Sequence, residues 1–185
     1  MTALAEDARS SSITRSFRFE SDVLSVLDEE ATRMGISVNA LVGIILRRYS
    51  EFTRYLSKID MVVVNREVLT SLLDQLGEEE LYKMGVKLGQ TVLADTIMFW
   101  KKETTEKVVM EYIEKMVCRY GQLGTYDERR MPGGDMAIVM RHRLGRNGSR
   151  FLEGYLQGGL KHTLDIDAIF EVTDSSVKCQ IPARR

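Results

Sequence analysis

The stretch that most constrains this chain is Thr14-Arg15-Ser16-Phe17-Arg18-Phe19. It alternates as a strand does, with Thr14, Ser16 and Arg18 on one face and Arg15, Phe17 and Phe19 on the other. A lone strand satisfies neither of its own edges, and it cannot bury two phenylalanines. No second strand pattern follows nearby, so the expected partner is a second copy of the chain. Two amphipathic helices come next. Ser21 is placed as the N-cap of the first, whose stripe is Val23, Leu24, Leu27, Ala31 and Met34, and Gly35 closes it. Ser37 caps the second, whose stripe is Val38, Leu41, Val42, Ile45, Leu46 and Tyr49.

An alternating strand running into a capped helix, then the turn Gly35-Ile36-Ser37-Val38-Asn39 and a second helix, resembles the ribbon-helix-helix DNA-binding domains of the Arc, MetJ and CopG type. The resemblance covers Ile13 to about Phe52. It implies an intertwined homodimer whose paired strands lie in the major groove of double-stranded DNA. By position, Thr14, Ser16 and Arg18 would face bases. The backbone amides of Ser37, Val38 and Asn39 would grip a phosphate. Both roles are physically sound, since a two-stranded ribbon fits the major groove and a helix N-terminus attracts anions. Arg15 departs from the pattern, because it takes an inward position that the family usually gives to an aliphatic residue. Its guanidinium is expected to snorkel toward a phosphate, so it joins the DNA-binding set.

Charge does not advertise this function. The whole chain carries a formal net charge of -1. Up to Lys58, eight cations balance eight anions. Contact with DNA would therefore rest on the placement of Arg9, Arg15 and Arg18, with a shallow salt dependence. With 185 residues there is room for two small domains. The expected division is a flexible arm over 1–12, a DNA-binding domain over 13–58, an α+β domain over 61–181 and a tail over 182–185. Ile45, Tyr49, Phe52, Leu56 and Ile59 form a short heptad seam, which predicts that the second helix continues to Ile59 as a stiff connector. Two cysteines are too few for a disulfide framework, and no apolar run is long enough for a membrane span. The expected location is the cytoplasm.

Beyond the connector, Met61-Val62-Val63-Val64 predicts a short strand. Residues 66–76 predict a helix burying Val68, Leu69, Leu72, Leu73 and Leu76, ended by Gly77. Residues 78–100 predict a central helix, apolar nearly all round, in which Gly85 and Gly89 allow another helix or a ligand to approach. A third helix spans 104–120 with Val109, Ile113, Met116 and Tyr120 inward. The period then changes. Residues 123–130 and 136–144 predict a hairpin around Met131-Pro132-Gly133-Gly134-Asp135, a helix opens at Asn147-Gly148-Ser149, and 168–172 with 177–181 predict a second hairpin. The fold class is α+β.

The closing part, Phe151 to Leu160 with Ile169-Phe170-Glu171-Val172 and Val177-Lys178-Cys179-Gln180-Ile181, resembles the 4-vinyl reductase-like sensory domains, relatives in fold of the haem-nitric-oxide-binding domains. That resemblance implies a small-molecule sensor beside the DNA-binding module. Many such domains carry a cysteine cluster for metal. Here Cys179 stands alone near the expected place, so no metal and no cofactor are expected. Met84, Met98, Phe99, Trp100, Tyr112, Met116, Phe151 and Tyr155 are the candidate lining of an apolar pocket, with filling of the core as the bland reading of each.

No catalytic constellation stands out. His142 and His162 lack ligand spacing; His142 is placed facing solvent and His162 at a helix end. Cys118 and Cys179 are read as buried, inert thiols. The expected function is that of a dimeric transcriptional regulator, not an enzyme. It would read DNA with its ribbon, assemble as a dimer or a dimer of dimers, and respond to a small-molecule effector. The alternative is an antitoxin-like module, or another protein-interaction module, with an accessory DNA-binding domain.

Overall fold

A computed structural model of the chain describes residues 13–183. The arm assigned to 1–12 and the last two residues of the tail lie outside the described residues. The chain is α+β, and it divides into two compact units, one reaching to Arg47 and one starting at Arg48. Residues 48–58, which the sequence joins to the DNA-binding segment, therefore pack as part of the second unit.

In the first unit the two expected helices form. Helix α1 spans Ser21–Met34 and helix α2 spans Val38–Arg48. Between them Gly35 takes the left-handed conformation (φ 66°), and Ile36 N–H reaches back to Ala31 O at 3.0 Å. That is a Schellman ending, which a residue with a Cβ would strain. Ser37 Oγ accepts from Ala40 N–H at 3.2 Å, the expected cap. Ser21 is not a cap: Glu20 takes that position and makes no side-chain cap bond. The ribbon is absent from the single chain. Residues 13–20 hold no regular structure and are exposed throughout. A strand exists only through its ladder, and none of the described residues pairs with this one.

In the second unit helical structure continues from Arg48 through a π-helical turn, Tyr49–Thr53, and a single α-turn, α3 (Arg54–Leu56). It ends before Ile59, at a turn in which Asp60 has φ 52°. Met61–Val64 is not a strand, and Val62 and Val63 are 83% and 92% exposed. Every described strand comes from residue 124 onward, and none of them pairs with this run.

Helix α4 (Arg66–Leu73) starts at Asn65, whose Oδ1 accepts from Glu67 N–H at 2.8 Å. Of its five expected core residues only Leu73 is buried and Leu69 half-buried, while Val68, Leu72 and Leu76 are exposed. The long helix appears as α5 (Glu78–Leu88), a π-turn (Gly89–Leu93) and α6 (Ala94–Lys101). It is not buried all round. Leu81, Leu93 and Ile97 face the core, whereas Val92, Met98 and Phe99 are exposed. Next come α7 (Glu106–Glu111) and a π-helical stretch, Tyr112–Tyr120. Val109, Ile113, Met116 and Tyr120 are buried, as their spacing predicts.

Both hairpins form. Strands β1 (Gly124–Arg130) and β2 (Met136–His142) precede helix α8 (Gly145–Leu164), and β3 (Ile169–Val172) and β4 (Ser176–Ile181) follow it. They make one antiparallel sheet in the order β1-β2-β4-β3, with Ile138 opposite both Glu128 and Cys179. Met136, Ile138 and Met140 share the buried face with Val177, Cys179 and Ile181. Leu152, Leu156 and Leu160 of α8 complete the core with Ile97, Val109 and Ile113.

The two central helices are locked by glycine. A Cβ on Gly85 would lie 2.3 Å from Phe151 O, and one on Gly89 would lie 2.1 Å from Tyr155 O. In return, a Cβ on Gly154 would lie 2.1 Å from Tyr82 O, and one on Gly158 would lie 2.2 Å from Val86 O. Gly85 and Gly89 thus serve a helix, the first of the two partners the sequence left open.

Candidate nucleic-acid interface and sensor core

The residues named for DNA contact all belong to the first unit. Thr14, Arg15, Ser16 and Arg18 lie in the irregular, exposed segment. Arg15 Nη1 makes only a local bond, to Thr14 O at 3.3 Å. Ser37 and Asn39 are exposed and Val38 is half-buried at the start of α2. The first amides of a helix have no intrahelical acceptor, and no acid stands in the first turn of α2 to compete with an incoming anion. Ser37 Oγ takes the amide of Ala40, which leaves the amides of Val38 and Asn39 for a ligand.

Around these groups the unit is thinly covered. Ala31 and Leu41 are the buried apolar residues among those described, at 2% and 5% exposure. Phe17, Phe19, Val23, Leu24, Val26, Met34, Ile44, Ile45 and Leu46 are exposed, Phe17 and Val26 each by 65%. Single exposed apolar residues are ordinary, but a set of this size within one small unit is not.

The eight candidate pocket residues do not line one cavity. Met98 and Phe99 face outward at 49% and 44% exposure, and Phe99 meets Tyr55 edge-on at 6.1 Å. Met84 is half-buried on α5, Trp100 is half-buried against the core, and Met116 lies within it. Three residues do converge. Tyr112 and Tyr155 join hydroxyls at 3.0 Å, and Phe151 stacks on Tyr155 at 6.1 Å. Burial raises the pKa of both phenols, that of Tyr155 well above the ordinary tyrosine value. The pair stays neutral, one hydroxyl donating to the other. A shallow hollow of about 320 Å³ lies elsewhere on this unit, lined by Tyr82, Lys83, Val86, Gln90, Gln157, Gly158 and Lys161.

His142 reverses its expected place. It is 5% exposed, because it continues the inward series of Met136, Ile138 and Met140 along β2. Leu144 N–H donates to Nδ1 at 3.2 Å, and Nε2 lies 3.0 Å from Ser149 Oγ, which donates to Thr173 O at 2.5 Å. This chain fits neutral imidazole with its proton on Nε2. Burial lowers the pKa accordingly. Period two continued through His142 is the signal that places it inward, against the pull of its arginine neighbours toward solvent. His162 is exposed in the last turn of α8, as expected. Cys118 and Cys179 are buried, and burial pushes both thiols up to about 12, with Glu114 adding to the effect at Cys118. Among the described residues no group of three or more His, Cys, Asp or Glu side chains is arranged to hold a metal, and no helix is long and apolar enough to cross a membrane.

No family model matches this sequence, and no curated protein matches it.

Proposed function

We propose that this protein is a dimeric, sequence-specific DNA-binding transcriptional regulator of the ribbon-helix-helix type. Its second unit is a sensory domain resembling the 4-vinyl reductase-like fold. One observation carries the reading: the apolar residues of the first unit, from Phe17 to Leu46, are exposed in the single chain. A second copy intertwined with the first would cover them. It would also pair residues 14–19 with their twins, giving that segment the ladder it lacks. The ribbon would then present Thr14, Ser16 and Arg18 to base edges, with Arg15 and the amides of Ser37, Val38 and Asn39 on phosphates. In the second unit, a long helix between two hairpins supports the sensory reading. Tyr112, Tyr155 and Phe151 are the members of the expected lining that come together, and an effector would enter by parting their paired hydroxyls.

The test is selection from a random duplex pool by the full chain, with Arg18→Ala beside it. Enrichment of a palindromic motif, relaxed at the bases Arg18 reads, is the expected result. Sedimentation should show a dimer at the same concentrations. A monomer that enriches nothing at low salt would refute the proposal and leave an interaction role for the exposed surface.

A further inference from the structure

A second exposed apolar surface lies within residues 61–75 of the second unit. Met61, Val62, Val63 and Val64 are open to solvent and run directly into Asn65, the cap of α4. Val68 and Leu72, one turn apart on α4, are 50% and 61% exposed. With Asn65, Glu67, Ser71 and Gln75 they line an open hollow of about 730 Å³. Asn65, Val68, Leu72 and Gln75 are spaced three, four and three, so they form one seam along the helix.

The rest of α4 holds this seam outward. Leu73 is buried, and Leu69 packs against the core on another face of the helix. Arg66 Nη2 donates to Gln122 O at 3.0 Å, and Asn147 Nδ2 donates to Asp74 Oδ1 at 3.0 Å, which ties both ends down. Arg66 and Asp74 are thus engaged elsewhere, and of the residues lining the hollow Glu67 alone is charged. The six apolar residues present on the order of 600 Å² to water, at the upper end of what one soluble chain leaves in a patch. With the polar lining of the hollow the face approaches the roughly 800 Å² per partner of a standard interface.

We propose that this face is where the second unit binds its own copy: Met61–Val64 pairs antiparallel with its twin, and the two α4 seams pack across the two-fold axis. A two-fold contact lays a surface on itself, so charge at its centre would meet its like. A face with an uncharged apolar centre suits that arrangement, whereas a foreign partner is usually steered by complementary charge. Val62, Val63 and Val64 are β-branched and suited to a ladder, and the twin supplies a strand of equal length. The contact lies wholly within the second unit. It therefore stands however the first unit is placed, and whether or not that unit reads DNA.

Four preparations of the full chain test it: wild type, Leu72→Glu, Leu72→Lys, and the mixed assembly of the two variants, co-expressed with different tags. Leu72 is exposed in the single chain, so both changes should leave the fold intact, with unchanged hydrogen exchange in α8 and β2 as the check. Amides of residues 62–64 should be protected in wild type and exchange about tenfold or more faster in each single variant. Sedimentation should show association weakened about tenfold or more, because like charges then meet across the axis. In the mixed assembly opposite charges meet, and both protection and association should return. Wild-type amides at 62–64 that exchange as in an open chain at every concentration would overturn the proposal, and so would single variants that match wild type. A mixed assembly that fails to form, or is no better protected than the single variants, would overturn it too and would point to a partner of different sequence.

Discussion

Replacing Gly154 by Ala should destabilise this protein, although alanine is the better helix former. Gly154 lies in the interior of α8, where the exchange alone would gain about 1 kcal/mol. The added Cβ, however, would sit 2.1 Å from Tyr82 O and 3.0 Å from Val86 N. Both are backbone atoms of α5, and no rotamer change moves them aside. To restore an ordinary contact the helices must part by about 1 Å, and a gap of that size forfeits roughly a quarter to a half of each dispersion contact along the seam. Overpacking of a tight core costs about 1–3 kcal/mol, and a backbone clash belongs at the upper end or beyond. The net loss is then about 2 kcal/mol. For a chain of this length that lowers Tm by roughly 4–8 °C. Urea denaturation should show a lower midpoint at unchanged slope, with calorimetry giving the shift in Tm. Gly85→Ala should behave alike, and the double variant should lose less than the sum, because the first substitution has already parted the helices. A midpoint that rises in Gly154→Ala, as propensity alone would have it, would refute the close-packing argument.

Two further outcomes follow from buried titratable groups. Burial holds the folded pKa of His142 below its ordinary value of 6.5, so as pH falls the unfolded chain takes up the proton first. The His142 contribution is complete above about pH 6.5 and is lost as pH drops below it, so the urea midpoint should fall from pH 8 to pH 5, and less steeply in His142→Gln. With both thiols pushed up to about 12, neither Cys118 nor Cys179 should react with iodoacetamide at pH 8 until the protein is unfolded; rapid labelling of the folded chain would show that one of them is reachable.

Where a segment's partner lies within the chain, its pattern was readable. The stripe Val109, Ile113, Met116 and Tyr120, the two hairpins and the glycine pair Gly85 and Gly89 all appear where spacing put them. Period tells which face is apolar but not what covers it. Hence Val68, Leu72 and Leu76 read as core yet lie at the surface, and Met61–Val64 reads as a strand yet pairs with nothing. The same limit applies to residues 14–19. The capped turn at Ser37 was legible because a cap is local, whereas the alternation over 14–19 forms no strand in the single chain. The contacts of Tyr120 with Arg48, Glu51 and Phe52 were not legible, since no local pattern brings together residues so far apart in sequence. His142 follows a different rule: its parity on the strand decides its burial, and its charged neighbours do not.

The sheet order β1-β2-β4-β3 leaves two outer strands, and they differ in how they guard against adhesion between molecules. Strand β1 is long but carries Asp127, Glu128, Arg129 and Arg130, charges that make strand addition by a stranger costly. Strand β3 bears only Glu171 and relies instead on brevity, being four residues long, while Ile169 stands 67% exposed. Of the two margins, β3 is the one from which aggregates would seed during concentration or refolding. A lysine at position 169 would be the simplest way to keep this protein in solution.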